Sequence, residues 1–153
     1  MKPEALREEV AIETERLAAT ICELTALGHD LAGREPTLRE KAAAAVFLAQ
    51  FYTGIENILK RICHFHNVPL PGGETWHIEL FKLFCAPVYA PLPELFDTPL
   101  ATALAPFRKF RHVVYHGYAV ELDWLRMREG MMRAAEVWTR FQARLAEYLD
   151  TLE

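Results

Sequence analysis

The run from Trp124 to Leu152 constrains this chain more than any other. Trp124, Met127, Met131, Ala134, Trp138, Phe141, Leu145, Tyr148 and Leu152 are separated by three and four residues in alternation. On a strand that spacing would scatter apolar groups over both faces. On a helix it draws one continuous stripe. So long a stripe needs helical partners of similar length, and a coiled-coil-like seam is the ordinary way to bury it.

The rest of the chain follows the same rhythm. Leu6, Val10, Leu17, Ile21, Leu24 and Leu31 take three- and four-residue steps, and Gly33 is a plausible stop. Thr37-Leu38-Arg39-Glu40 fits a capping box, and the helix it opens carries Leu48, Tyr52, Ile55, Leu59 and Ile62. NVPLPGGE, residues 67–74, breaks the pattern with two prolines and two glycines. A short helix over Trp76 to Phe84 follows, with Thr75 as N-cap. Thr98-Pro99 reads as an N-cap followed by proline at the first helical position, opening a helix that carries Leu100, Leu104, Phe107 and Val114. The last helix begins near Asp123. Nothing reads as a strand ladder, and no internal repeat is present. The expected fold is all-α: an up-and-down bundle of four long helices plus a short one, forming a single domain over residues 1–153.

Composition then removes whole classes of function. The sequence contains no serine, so a serine nucleophile is excluded. PGGE lacks the lysine and hydroxyl residue of a phosphate-binding loop. Cys22, Cys63 and Cys85 form no metal or disulfide spacing and are expected to be buried, reduced thiols. Neither Cys63-His64-Phe65-His66 nor the pair His112 and His116 matches a closed zinc pattern, and no metal or other cofactor is expected. Glu56, Asn57 and Lys60 read as a solvated face, with lining a site across the bundle as the alternative. The N-terminus has no apolar leader, and no uninterrupted apolar run approaches the roughly 20 residues that span a membrane, so a cytoplasmic protein without a membrane partner is expected. The net charge of −4 argues against a broad grip on long nucleic acid but allows a small basic site.

Such a site is visible in RHVVYHGY, residues 111–118. The apolar stripe of the helix opened by Thr98-Pro99 requires a residue at 111, and that residue is Arg111. An arginine on an apolar stripe needs a carboxylate, a phosphate or an interface. From Thr98 to Ala119 there is no acidic residue, while Arg108, Lys109 and Arg111 are all cationic. Gly117 can end the helix directly after His116, which would let His116 and Tyr118 swing back toward Arg111. A histidine poised near neutrality can move protons, and an arginine can hold a phosphate and stabilise added charge on it. Together, without metal, they suffice in principle to cleave RNA, whose 2′-hydroxyl is the attacking group.

These residues resemble a known motif. Arg111 to Tyr118 is similar to the R-x4-H-x-Y signature of HepT-like toxins in the HEPN (higher eukaryotes and prokaryotes nucleotide-binding) superfamily. Glu121-Leu122-Asp123-Trp124 looks like the sequel in a HepT-like subgroup, and the helical layout agrees over nearly the whole chain. The resemblance implies a metal-independent endoribonuclease of a toxin–antitoxin pair, acting on RNA such as tRNA or mRNA. It implies a homodimer in which two motifs face one cleft, and a minimal nucleotidyltransferase antitoxin as partner. Arg111 and His116 would be catalytic, with His112 and Tyr118 supporting them, and the cationic patch of Arg108 and Lys109 reads as the part that binds RNA. Tyr118 would be the residue the antitoxin AMPylates. The alternative within the same resemblance is a non-catalytic adaptor that binds a nucleotidyltransferase or a nucleotide.

Overall fold

A computed structural model describes all residues, 1–153. The helices are α1 (Pro3–Asp30), α2 (Leu38–Phe65), α3 (Trp76–Lys82), α4 (Thr98–His116) and α5 (Trp124–Asp150). A short 3-10 turn, Ala119–Glu121, joins α4 to α5. The fold is the expected all-α bundle of four long helices and a short one.

α2 is the central column. It packs against α1, α3, α4 and α5, and buries Leu48, Tyr52, Ile55, Leu59 and Ile62 completely or nearly so. By length and composition alone α2 could cross a membrane. Here its apolar side chains form the middle of the core instead. The α5 stripe is buried from Met127 to Tyr148, with Trp124 partly covered.

Local chemistry sets the helix ends. α1 stops three residues before Gly33, whose φ of +77° lets the chain reverse at low steric cost. Both halves of the Thr37–Glu40 capping box form: the Glu40 amide donates to Thr37 Oγ1 at 3.2 Å, and the Thr37 amide donates to Glu40 Oε1 at 2.9 Å. Arg34 and Thr37 together hold the Glu40 carboxyl down at about 2. α1 crosses α2 closely at Gly54, where a Cβ would lie 2.5 Å from Leu17 Cδ2.

Two caps differ from the sequence expectation. α4 is capped by Asp97, whose carboxylate accepts from the Leu100 amide at 2.9 Å. Thr98 is thus the first helical residue, because the carboxylate one position earlier is the stronger acceptor for the free amides. Thr75 stands at the α3 N-cap position, but its hydroxyl lies 3.3 Å from Glu79 Oε1 and caps no amide. Of the cysteines, Cys63 is buried and Cys85 half-buried, but Cys22 is exposed on the outer face of α1. Its neighbours Ile21 and Leu24 carry the stripe without it. Burial pushes the Cys63 thiol up to about 11, so it stays protonated and inert.

A candidate active site at the end of α4

At about 100° per residue, Arg108, Arg111, His112, Tyr115 and His116 fall within an arc of about 140° on α4. α3 and the middle of α2 lie against this arc, and the two edges of the arc have different surroundings.

Arg111 faces inward, with only 20% of its side chain exposed. Its Nε donates to Thr53 Oγ1 at 2.8 Å, and an outer guanidinium nitrogen lies 3.3 Å from Glu56 Oε1. An acid thus faces this arginine after all, and it comes from α2 rather than from the neighbouring sequence. Glu56 is 1% exposed and does not belong to a solvated face. Both its carboxylate oxygens are buried without a hydrogen bond, so the pairing with Arg111 is electrostatic contact rather than a satisfied bridge. Burial pushes the Glu56 carboxyl up, while Arg111 and then Lys60 oppose the rise.

His112 and His116 occupy the exposed edge. Their rings stack with centroids 4.2 Å apart. His116 Nδ1 donates to the His112 carbonyl at 2.8 Å. That bond satisfies one of the helix's terminal carbonyls and fixes the tautomer, leaving Nε2 with the lone pair when the ring is neutral. His116 therefore stays on the helix and does not swing back toward Arg111. Gly117 does end α4, but in an extended conformation (φ −131°, ψ −178°) rather than a left-handed one. Tyr118, in the connection beyond, is 75% exposed.

The sequence reading missed His77. It lies in α3, outside any motif, and its ring centroid is 5.9 Å from that of His112. His77 extends the stacked pair into a row of three imidazoles. Its Nδ1 is buried without a hydrogen-bond partner. Burial and then the nearby Arg111, His112, Arg108 and His116 hold its pKa below the ordinary value. The available signal was only that the short helix following a proline–glycine break carried a histidine beside Trp76.

Arg108, within the arc, has its guanidinium 4.9 Å from the Phe81 ring centroid. Lys109 is not brought to the site. It lines a groove of about 490 Å³ on another face of α4, with Phe107, Phe110, Val113, Leu122 and Gly130. No three His, Cys, Asp or Glu side chains converge as metal ligands. His66 instead bonds Tyr148 Oη at 2.7 Å.

The arrangement offers a braced cation for an anionic group, beside an exposed imidazole whose free nitrogen can accept or return a proton. The family model described as HepT-like protein matches residues 43–152, which contain α2 to α5 almost entire. No curated protein and no solved structure matches the chain. A match of that extent, over the helices that build the site, means that the chain belongs to the HepT-like proteins of the HEPN superfamily.

Proposed function

We propose that the protein is a metal-independent endoribonuclease, the toxin of a toxin–antitoxin pair. The observation that carries this reading is the pairing of the inward-braced Arg111 with the outward, tautomer-fixed His116 on one arc of α4. The family is generally of ribonuclease type, which supports it.

In the proposed step the ribose 2′-oxygen attacks the adjacent phosphorus while the bond from phosphorus to O5′ breaks. His116 Nε2 takes the 2′-hydroxyl proton. A second imidazole in its charged form returns one to O5′, and His112, stacked on His116, is the candidate. The free donors of Arg111 hold the phosphoryl oxygens and stabilise the charge that builds there. A homodimer would join two such arcs in one cleft. A nucleotidyltransferase antitoxin would silence the site by adding AMP to Tyr118. Its 75% exposure makes the hydroxyl reachable, and the added negative charge would repel RNA. Cytoplasmic localisation belongs to the same proposal.

Cleavage of RNA by the purified protein in EDTA, compared with Arg111→Ala and His116→Ala, tests the assignment. Both variants are expected to lose activity, and equal activity in all three proteins would sink it. One observation favours a second reading: the Arg111–Glu56 contact, which suits a structural arginine in a non-catalytic adaptor that binds a nucleotidyltransferase. Expression without the antitoxin separates the two, since only the nuclease should arrest growth and only its arrest should depend on His116.

A further inference from the structure

Cations and aromatic rings alternate across the site. Lys60 Nζ lies 4.5 Å from the Trp76 ring centroid. The Arg111 guanidinium carbon lies 5.9 Å from that same centroid and 5.2 Å from the Tyr115 ring centroid. Trp76 is partly covered by this packing, but Tyr115 is 63% exposed. Tyr115 adds nothing to the core. It is one helical turn beyond Arg111 and immediately precedes His116. It ends the series with the Arg111 guanidinium over one side of its ring and the rest of the side chain open to solvent. An aromatic ring beside a cation, next to a phosphate-binding arginine, is what single-stranded nucleic acid uses: the base stacks and the backbone is held by charge.

We propose that Tyr115 is the stacking platform for one nucleobase of single-stranded RNA, the base adjoining the phosphate that Arg111 holds. The proposal rests on the ribonuclease reading above and names how that site takes its substrate. Base and phosphate of one nucleotide are separated by a single sugar, and Tyr115 and Arg111 are in direct contact, so one nucleotide can engage both. Stacking is tolerant of base identity because every base has a π-face. The subsite therefore selects unpaired over paired RNA, because in a duplex both faces of each base are already covered.

The test uses the full chain carrying His116→Ala, to prevent cleavage, and a fluorescein-labelled single-stranded RNA hexamer read by anisotropy. Adding Tyr115→Ala is expected to raise Kd about tenfold. Tyr115→Phe should recover most of the affinity. A hexamer with one abasic position should lose affinity for the parent protein but little for the Tyr115→Ala protein. Unchanged Kd in Tyr115→Ala, or a Phe variant as weak as the Ala variant, overturns the subsite while leaving the ribonuclease reading intact. A change of oligomeric state in Tyr115→Ala, measured by light scattering, overturns it in favour of a protein contact. Failure of the parent protein to bind the hexamer overturns both.

Discussion

Arginine–glutamate contacts tie α2 to α1 on one side and to α4 on the other, and the two are built differently. On the α1 side, Arg61 reaches Glu9 Oε2 at 2.9 Å and donates to Glu13 Oε1 at 3.0 Å. On the α4 side, Arg111 approaches Glu56 Oε1 at 3.3 Å without forming a hydrogen bond. Glu13 and Glu56 are both buried. Arg61 is thus a clamp whose donors are matched by two carboxylates, and it ties α1 to α2. Arg111 is fixed through Nε to Thr53 and keeps unmatched donors beside an unmatched carboxylate. A purely structural contact would be expected to complete its hydrogen bonds. The one that leaves them open lies on the same arc of α4 as His112 and His116, with its guanidinium over the Trp76 and Tyr115 rings.

Replacing each arginine should separate these roles. Arg111→Ala is expected to lower the RNA cleavage rate about 10²- to 10³-fold. It should also lower stability by about 3 kcal/mol, read by urea denaturation, because it leaves Glu56 buried without its cation. Adding Glu56→Gln should restore much of that stability and none of the cleavage. His116→Ala should lower cleavage about 10²-fold or more while leaving the denaturation midpoint nearly unchanged, since the ring is exposed. Arg61→Ala should do the reverse, costing about 2 kcal/mol with cleavage unaffected, because the buried Glu13 loses its hydrogen-bonded cation and keeps only Arg16 at 3.8 Å, far from the site. If Arg61→Ala impaired cleavage as strongly as Arg111→Ala, the two contacts would not be functionally distinct.

The smallest expected effect is a pH dependence of stability with two opposed contributions. The folded-state pKa of His77 is depressed, so its neutral form stabilises the fold above the ordinary value of 6.5, and that stability is lost as pH falls below it. The folded-state pKa of Glu56 is raised, so its contribution is complete below the ordinary 4.5 and is lost as pH rises through the folded value. Thermal melting across pH 4 to 8 should therefore flatten on the acid side of 6.5 in His77→Phe. Glu56→Gln should flatten above 4.5. An unchanged curve in His77→Phe would place that ring outside the coupled row.

The helices were legible because their signals are local: three- and four-residue spacing, a capping box, a proline–glycine break. Arg111 was legible for a related reason, being a charge on a stripe that should be apolar. His116 and Gly117 were legible as a helix end, although the bond to the His112 carbonyl keeps His116 on the helix. Thr53 and His77 were not identified as members of the site, and Glu56 was read first as solvated with lining a site across the bundle only as the alternative, because what gives all three meaning is contact across helices. Glu56 lies 55 positions before Arg111 in the chain, and nothing in its own neighbourhood distinguishes a buried carboxylate from a solvated one. The same blindness moved the α4 cap by one residue and left Cys22 assigned to the interior.

The close crossing at Gly54 has a bearing on where this domain can be cut. The matched family segment opens at residue 43, within α2, yet the surface of α2 around Gly54 is shaped to admit Leu17 from α1. A helix with a gap instead of a side chain at its middle is an incomplete wall. Without α1, the cleft beside Gly54 and the apolar groups around it would open to water. The matched family segment thus leaves out the helix whose Leu17 fills the space beside Gly54, and a chain trimmed to residues 43–152 is expected to expose that apolar surface.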